Sequence, residues 1–158
     1  MPSDHPNVRT VTEALVAAGV TGAVVALPDS APTAAAAAAQ LGCEVGAIAN
    51  SLVFDADGSP VLVLTSGAHR VDTDLVAAHL GVSTMRRASA TFVRTHTGQP
   101  IGGVAPVGHP EPIPTLVDTW LGGHTTVWAA AGHPYTVFPT TFDELVRITG
   151  GTPVQVER

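Results

Sequence analysis

The stretch VGAIANSLVFDADGSPVLVLT, residues 45–65, decides the fold of this chain. Two runs rich in apolar residues, 46–54 and 59–65, flank the tetrapeptide Asp55-Ala56-Asp57-Gly58. An Asp-Gly pair between two such runs is among the strongest short-range signals for a β-hairpin. We therefore predict an antiparallel hairpin in the middle of the chain.

On the N-terminal side of the hairpin, the pattern predicts a helix, a strand and a second helix. Residues 8–18 carry apolar side chains at helical spacing, with Asn7 as the cap and Gly19 as the end. Residues 22–28 are typical of a short strand. The alanine-rich stretch that follows predicts a helix, because alanine is the best helix former; it opens at Ser30 and Pro32 and closes at Gly42.

On the C-terminal side, capping residues and apolar runs predict further helices and strands. The predicted helices are capped by Asp72, Ser89 and the Thr141/Glu144 capping box, and they end at Gly81, Gly98 and Thr149. The predicted strands are 112–117, 125–130, 135–139 and 153–156, with a short helical piece at 118–121. Because strands and helices do not alternate regularly, we predict an α+β fold with a mixed, mainly antiparallel sheet wrapped by helices. At 158 residues we expect a single domain, 1–158.

Charge and cysteine content limit the partners of this protein. The chain has 7 arginines, no lysine, 13 acidic residues and a formal net charge of −6. This balance argues against nonspecific binding to DNA or to an anionic membrane. One segment departs from this acidic balance, because four arginines fall within 25 residues: Arg70, Arg86, Arg87 and Arg94. They could form a local phosphate-contacting patch or ordinary solvated faces. A single cysteine, no signal-like segment and no long apolar run predict a cytoplasmic protein.

The segment TGQPIGGVAPVG, residues 97–108, is the strongest candidate for a binding site. Glycine lets a ligand reach the main chain and proline stiffens it, so backbone N–H groups could face an oxygen-rich ligand. The same composition is also common in tight loops.

The chain has no G-x-S-x-G elbow, Walker motif or metal-ligand spacing, and we expect Cys43 to be a structural thiol. We therefore expect no metal and no cofactor.

Four blocks, taken in order, resemble one protein family. They are IANSLVF (48–54), VLVLTSGAHRVD (61–72), the loop from Thr97-Gly98 to Pro106 with its G-x-x-x-P motif at 102–106, and the Ala131-Gly132 turn. Together they are similar to the YbaK-type aminoacyl-tRNA editing domains associated with prolyl-tRNA synthetase. The likeness covers about residues 30–157 and implies a barrel-like α+β fold of that type.

The resemblance implies a trans-acting deacylase that hydrolyses the ester of a small amino acid mischarged on tRNA. Its partners would be aminoacyl-tRNA and an aminoacyl-tRNA synthetase. By analogy, the amides of Gly102, Gly103 and Ala105 would stabilise the ester oxygen as it gains negative charge, opposite Asn50. The substrate's own hydroxyl or thiol would assist a water molecule or would cyclise. We expect substrate contacts from the following residues: Ser51, Thr97, Pro106, His133 and Arg70. Asp118 would cap a helix.

Asn50 is a departure from the family pattern, which usually places a lysine in this block. An amide donates hydrogen bonds but brings no charge, and charge-assisted hydrogen bonds are about twice as strong as neutral ones. A second hypothesis is therefore a binding module for aminoacyl-tRNA or nucleotide that has lost turnover. A third is a hydrolase of small free esters or thioesters.

Overall fold

The part of the chain that the structure describes, residues 5–31 and 33–157, contains five α-helices and eight β-strands. The helices are α1 (Pro6–Ala17), α2 (Ala34–Leu41), α3 (Thr73–Leu80), α4 (Ala90–Thr97) and α5 (Phe142–Thr149). The strands are β1 (Val25–Ala26), β2 (Ile48–Ala56), β3 (Ser59–Ser66), β4 (Met85–Arg87), β5 (Thr115–Asp118), β6 (Val127–Ala130), β7 (Thr136–Thr140) and β8 (Thr152–Val154). Two 3₁₀ turns occupy Val45–Ala47 and Thr119–Gly123. No helix among these residues is long and apolar enough to span a membrane.

The predicted hairpin is confirmed as β2 and β3. In this computed structural model the two strands pair antiparallel from Ala49 opposite Ser66 to Ala56 opposite Ser59. Asp57 and Gly58 both have positive φ, 51° and 92°, as a two-residue hairpin loop requires. The turn is further held by Asp55, whose Oδ1 accepts a hydrogen bond from the Gly58 amide at 2.7 Å.

The hairpin lies inside one mixed sheet with the order β1-β7-β6-β2-β3-β5-β8, and β4 pairs with β2 beside this path. The pairs β1–β7, β6–β7, β2–β3 and β2–β4 are antiparallel. The pairs β2–β6, β3–β5 and β5–β8 are parallel. The fold is therefore α+β with a mixed sheet in which antiparallel pairs are the more numerous, as the sequence predicts.

Most of the predicted helix ends are confirmed because they depend on local capping. Asp72, Ser89 and Thr141 each accept a hydrogen bond from the amide three residues later and cap α3, α4 and α5. The left-handed residues Gly42, Gly81 and Gly98 end α2, α3 and α4. The Thr141 capping box forms only in part, because Glu144 bonds the Thr140 hydroxyl at 2.7 Å.

Three local predictions are corrected, and one strand was not predicted. The cap of α1 is His5, whose Nδ1 accepts from the Asn7 amide, since Pro6 already occupies the first helical turn. The cap of α2 is Thr33 rather than Ser30, and Pro32 lies outside the described residues. Only Val25–Ala26 of the predicted strand 22–28 pairs, and β4 has no counterpart in the predicted elements.

The two faces of the sheet bury different sets of apolar side chains. Alternate residues of a strand point to opposite faces, so Ala49 and Val53 of β2 share one core with α1, α4 and α5. On the other face, Phe54 packs under α3 and Ile48 packs under α2. Helices therefore cover both faces of β2, and its side chains at positions 50 and 51 point to opposite sides.

A buried carboxylate connects β3 to β5. Asp118 is 1% exposed, and its Oδ2 accepts from the Ser66 amide at 2.9 Å and lies 2.7 Å from His69 Nδ1. Its Oδ1 accepts from the Trp120 amide at 2.9 Å, which caps the 3₁₀ turn that follows β5. The predicted capping role is confirmed, and the same side chain also fixes the end of the hairpin.

We predict that Asp118→Ala lowers the free energy of unfolding by roughly 3 kcal/mol, because it leaves buried donors without their charged acceptor. The control is Ser89→Ala, which removes a surface cap and should cost only about 1 kcal/mol. Urea denaturation of both variants measures the difference. Equal losses would contradict the connecting role of Asp118.

Candidate functional site

A cavity lies where β2, β6, the start of α2 and the glycine loop meet. Its inner part has a volume of about 40 Å³. An outer groove of about 340 Å³ continues along β2 to Arg87. Asn50, Ser51, Gly102 and Val104 line both parts, so the hairpin and the glycine loop form opposite walls of one site.

The cavity lies beside a part of β2 that has a pairing strand on only one edge. On one edge β2 pairs with β3 from Ala49 to Ala56. On the other edge it pairs with β6 only at Ile48 and Ala49, and with β4 only from Phe54 to Ala56. Among the described residues, no strand pairs with this second edge at positions 50–52. Backbone polar groups of β2 therefore face the cavity.

Gln99 organises the glycine loop from the inside, and sequence reasoning missed it. Its side chain is buried, its Oε1 accepts from the Ala105 amide at 2.7 Å, and its Nε2 donates to the Val107 carbonyl at 3.4 Å. The Gln99 amide in turn donates to Thr97 Oγ1 at 3.0 Å. The signal for this role was present, since Gln99 is the only amide side chain within residues 97–108.

The loop can approach its neighbours closely only because Gly103 has no side chain. A Cβ at this position would lie 2.9 Å from the carbonyl carbon of His133 and 2.9 Å from the nitrogen of Pro134. The turn after β6 therefore packs directly against the loop backbone. Gly102, beside it, has φ 88° and is exposed at the mouth of the cavity.

The set of amides that can face a ligand differs from the predicted set. The Gly103 amide donates to the Pro100 carbonyl at 3.0 Å, and the Ala105 amide is held by Gln99. Neither can donate to a ligand in this conformation, and we correct the prediction for both. Within residues 5–31 and 33–157, the amides of Gly102 and Val104 have no hydrogen-bond acceptor, and both residues line the cavity.

His133 lies on the wall of the inner cavity. Its Nδ1 accepts from the Tyr135 amide at 3.2 Å, and its ring lies 5.2 Å from that of His5. Partial burial and the nearby His5 both lower the pKa of His133 below its ordinary value. A neutral ring that is already hydrogen-bonded through Nδ1 is suited to positioning a substrate.

Among the residues predicted to contact substrate, three do not line this cavity: Thr97, Pro106 and Arg70. Thr97 is buried and its Oγ1 donates to the Val93 carbonyl at 2.7 Å, so it closes the end of α4. Pro106 is buried within the loop. Arg70 is exposed in the segment between β3 and α3, where its amide donates a hydrogen bond to the Glu157 carboxylate.

Arg87 is the arginine of the sequence cluster that reaches the groove. Its guanidinium lies 5.9 Å from the centre of the Phe54 ring. Its neighbour Arg86 is 80% exposed and forms an ion pair with Asp55 at 3.4 Å. Arg87 was predicted only as one of four cluster members, because its position depends on strand β4, which the sequence did not indicate.

Other reactive groups lie apart from this cavity. The described residues contain no group of three or more His, Cys, Asp or Glu side chains that could hold a metal ion. Cys43 follows the left-handed residue Gly42 at the end of α2, and burial raises the pKa of its thiol. A raised pKa keeps the thiol protonated and poorly nucleophilic.

A family model described as an aminoacyl-tRNA editing domain matches residues 28–148. Among curated proteins, the proline–tRNA ligase of Geobacter sulfurreducens is 36% identical over 68 residues, and that of Levilactobacillus brevis is 28% identical over 85 residues. These matches cover 43% and 54% of this chain but only 12% and 15% of the ligases. The chain thus corresponds to a small part of those relatives.

Solved structures match over nearly the whole chain. A protein whose proposed role is trans-editing for prolyl-tRNA synthetase is 40% identical, with a TM-score of 0.91 and 98% of both chains covered. A structure from work on epitope grafting onto scaffold proteins is 36% identical, with a TM-score of 0.90 and the same coverage. Both likenesses include the hairpin, the glycine loop and the turn that together form the cavity.

We predict that Gly103→Ala destabilises the protein by about 1–3 kcal/mol, because the new methyl group meets backbone atoms that cannot move aside independently. Gly123→Ala is the matched control, since a Cβ there meets no atom within 4 Å. Urea denaturation compares the two variants. A Gly103→Ala protein as stable as the Gly123→Ala protein would contradict the close approach of the loop to His133.

We predict that the glycine loop weakens as the pH falls. His109 donates from Nε2 to the Ala105 carbonyl at 2.8 Å, and burial lowers its pKa from the ordinary value of 6.5. Because the unfolded state then binds a proton more readily than the folded state, stability is full above pH 6.5 and declines as the pH falls below it. Thermal unfolding between about pH 7.5 and pH 5.5 measures the decline.

The control for this effect is His109→Gln, which keeps a donor but cannot titrate. Since His133 shifts in the same direction, the variant should retain part of the pH dependence and lose the part due to His109. An unchanged slope in the variant would show that His109 does not contribute.

Proposed function

The chain belongs to the aminoacyl-tRNA editing domain family, and we propose that it is a trans-acting deacylase. It hydrolyses the ester of a small amino acid mischarged on tRNA, including the tRNA for proline. The observation that carries this proposal is the cavity between β2 and the two free amides of Gly102 and Val104. We propose further that residues 1–158 work as one editing unit, in the cytoplasm, where tRNAs are charged.

The volume of the inner cavity supports a small amino acid. One water needs roughly 10–15 Å³ of such volume, so about 40 Å³ accommodates only a few heavy atoms. Trp128, Ile48 and Val137 line this part with bulky apolar side chains. Alanine-sized side chains fit this space, whereas larger ones would have to displace the core.

The reaction consists of attack by water on the ester carbonyl carbon. The bond to the ribose oxygen breaks, and that oxygen takes up a proton, which yields the free amino acid and uncharged tRNA. As the carbonyl oxygen becomes negative, the amides of Gly102 and Val104 donate hydrogen bonds to it. Removing one such donor typically lowers the rate by about 10²–10³. The neighbouring ribose hydroxyl of the substrate positions the water.

We propose that Asn50 and Arg87 divide the work that the resemblance to the editing domains assigns to a lysine. Both line the outer groove, where Asn50 offers a neutral hydrogen bond and Arg87 a positive charge. Arginine binds phosphate in a bidentate manner. We propose that Arg87 contacts a phosphate near the 3′ end of the tRNA while Asn50 orients the ribose.

The second candidate function is a binding module without turnover. The observation that favours it is Asn50 itself, which carries no charge toward the developing oxyanion. This alternative predicts that aminoacyl-adenosine analogues bind while the esters persist.

We expect the purified protein to release amino acid from tRNA charged with alanine or another small residue, in the presence of EDTA. The assay uses a panel of mischarged tRNAs, and the control is Gly102→Val, which places a β-branched residue at φ 88°. Release no faster than with this variant would contradict the proposed function. Saturable binding of a nonhydrolysable analogue without release of amino acid would favour the binding module. In that case, a gain of hydrolysis in Asn50→Lys would show that the protein lacks turnover because position 50 carries no positive charge.

We predict that Arg87→Gln weakens tRNA binding, while Arg86→Gln does not, because only Arg87 lines the groove. Loss of one phosphate contact should reduce the slope of log affinity against log salt by roughly 0.7 for a single strand. Affinity measured over a series of salt concentrations gives both slopes. Equal slopes for the two variants would show that Arg87 does not contact the tRNA in this groove.

A further inference from the structure

The direction of the backbone groups in β2 follows from its pairing. In an antiparallel pair, the N–H and C=O of successive residues point alternately to the two edges of the strand. The Ile48 carbonyl accepts from the Gly67 amide at 2.8 Å, on the β3 side. The Val53 carbonyl accepts from the Ala88 amide at 3.2 Å, on the β4 side. Even positions of β2 therefore point to β3, and odd positions point to the opposite edge.

Ser51 is the odd position within the interruption between β6 and β4. Its N–H and C=O point into the gap, where no strand of the described part of the chain pairs with them. Its Oγ is also buried without a hydrogen-bond partner among the described residues. Three polar groups of one residue are thus left for a ligand, since Ser51 lines both parts of the cavity.

The wall at Ser51 offers two acceptors, its carbonyl and its hydroxyl, beside its own N–H donor, whereas the loop wall offers the donor amides of Gly102 and Val104. An α-amino acid ester carries the complementary groups. Its ammonium group, a donor, and its carbonyl group, an acceptor, are both attached to the α-carbon. Buried polar groups are costly when unpaired, so a ligand that satisfies both walls is strongly preferred.

We propose that the unpaired carbonyl and hydroxyl of Ser51 bind the α-amino group of the aminoacyl ester, so that the site requires this group to be free. This inference rests on the proposed function and specifies its substrate. An N-acylated aminoacyl-tRNA, such as peptidyl-tRNA, has one amide donor in place of three ammonium donors and carries no charge. It also adds a carbonyl group where the inner cavity offers only about 40 Å³. The site therefore spares peptidyl-tRNA.

The test compares hydrolysis of alanyl-tRNA and N-acetylalanyl-tRNA by the full chain. We expect kcat/KM for the N-acetylated ester to be at least tenfold lower. Ser51→Ala should lower kcat/KM for alanyl-tRNA several-fold and leave that for N-acetylalanyl-tRNA unchanged, which a merely structural role would not do. Ser59→Ala, an exposed serine on the same hairpin, is the control and should change neither. Equal hydrolysis of the two esters would overturn the inference and leave the proposed function standing.

Failure of the proposed function gives a different result, since neither ester is then hydrolysed faster than by buffer. In that case, calorimetric titration with 3′-(alanylamino)-3′-deoxyadenosine and its N-acetyl derivative decides the inference separately. Tighter binding of the analogue with the free amine, reduced by Ser51→Ala, would support it. Equal affinity for the two analogues, or binding of neither, would overturn it.

Discussion

The site depends on the interrupted pairing of strand β2. Along one edge β2 pairs with β3 over nearly its whole length, and this hairpin fixes its position and twist. Along the other edge, β6 reaches only its first two residues and β4 only its last three. Two strands that approach the same edge from its opposite ends leave a gap between them. A buried backbone group needs a partner, so the gap is a place for water or for a ligand with matching groups.

The glycine loop supplies the second wall of the gap, and its shape is held from within. Gln99 uses its carboxamide to hold the Ala105 amide and the Val107 carbonyl, which replaces the strand pairing that this segment lacks. Gln99 occupies the Ala105 amide, whereas the amides of Gly102 and Val104, which line the cavity, have no acceptor among the described residues. The absence of a side chain at Gly103 lets the backbone of His133 and Pro134 close the site behind the loop.

Charge in this site is sparse, and many of the hydrogen-bonding groups that face the cavity belong to the main chain. The chain has no lysine, and within the part that the structure describes Arg87 is the cation that lines the outer groove. Hydrogen-bond donors held in a rigid backbone need no reorganisation when charge develops on a substrate. Such a site can act on a bound ester without a strongly nucleophilic side chain, which agrees with the raised pKa of Cys43 and the capping role of Asp118.

The sequence by itself determined the elements whose causes are local. The Asp57-Gly58 turn, the caps at Asp72 and Ser89, and the left-handed helix ends follow from residues within four positions of one another. The order of four sequence blocks also indicated the family and the nearness of Asn50 to the loop. Only the tertiary structure decided which backbone groups are free. Whether a loop amide has a partner depends on how the loop folds around the Gln99 side chain, which holds the Ala105 amide. Whether the Ser51 carbonyl has one depends on β4 and β6, which pair with β2 across long separations in sequence that no local pattern records.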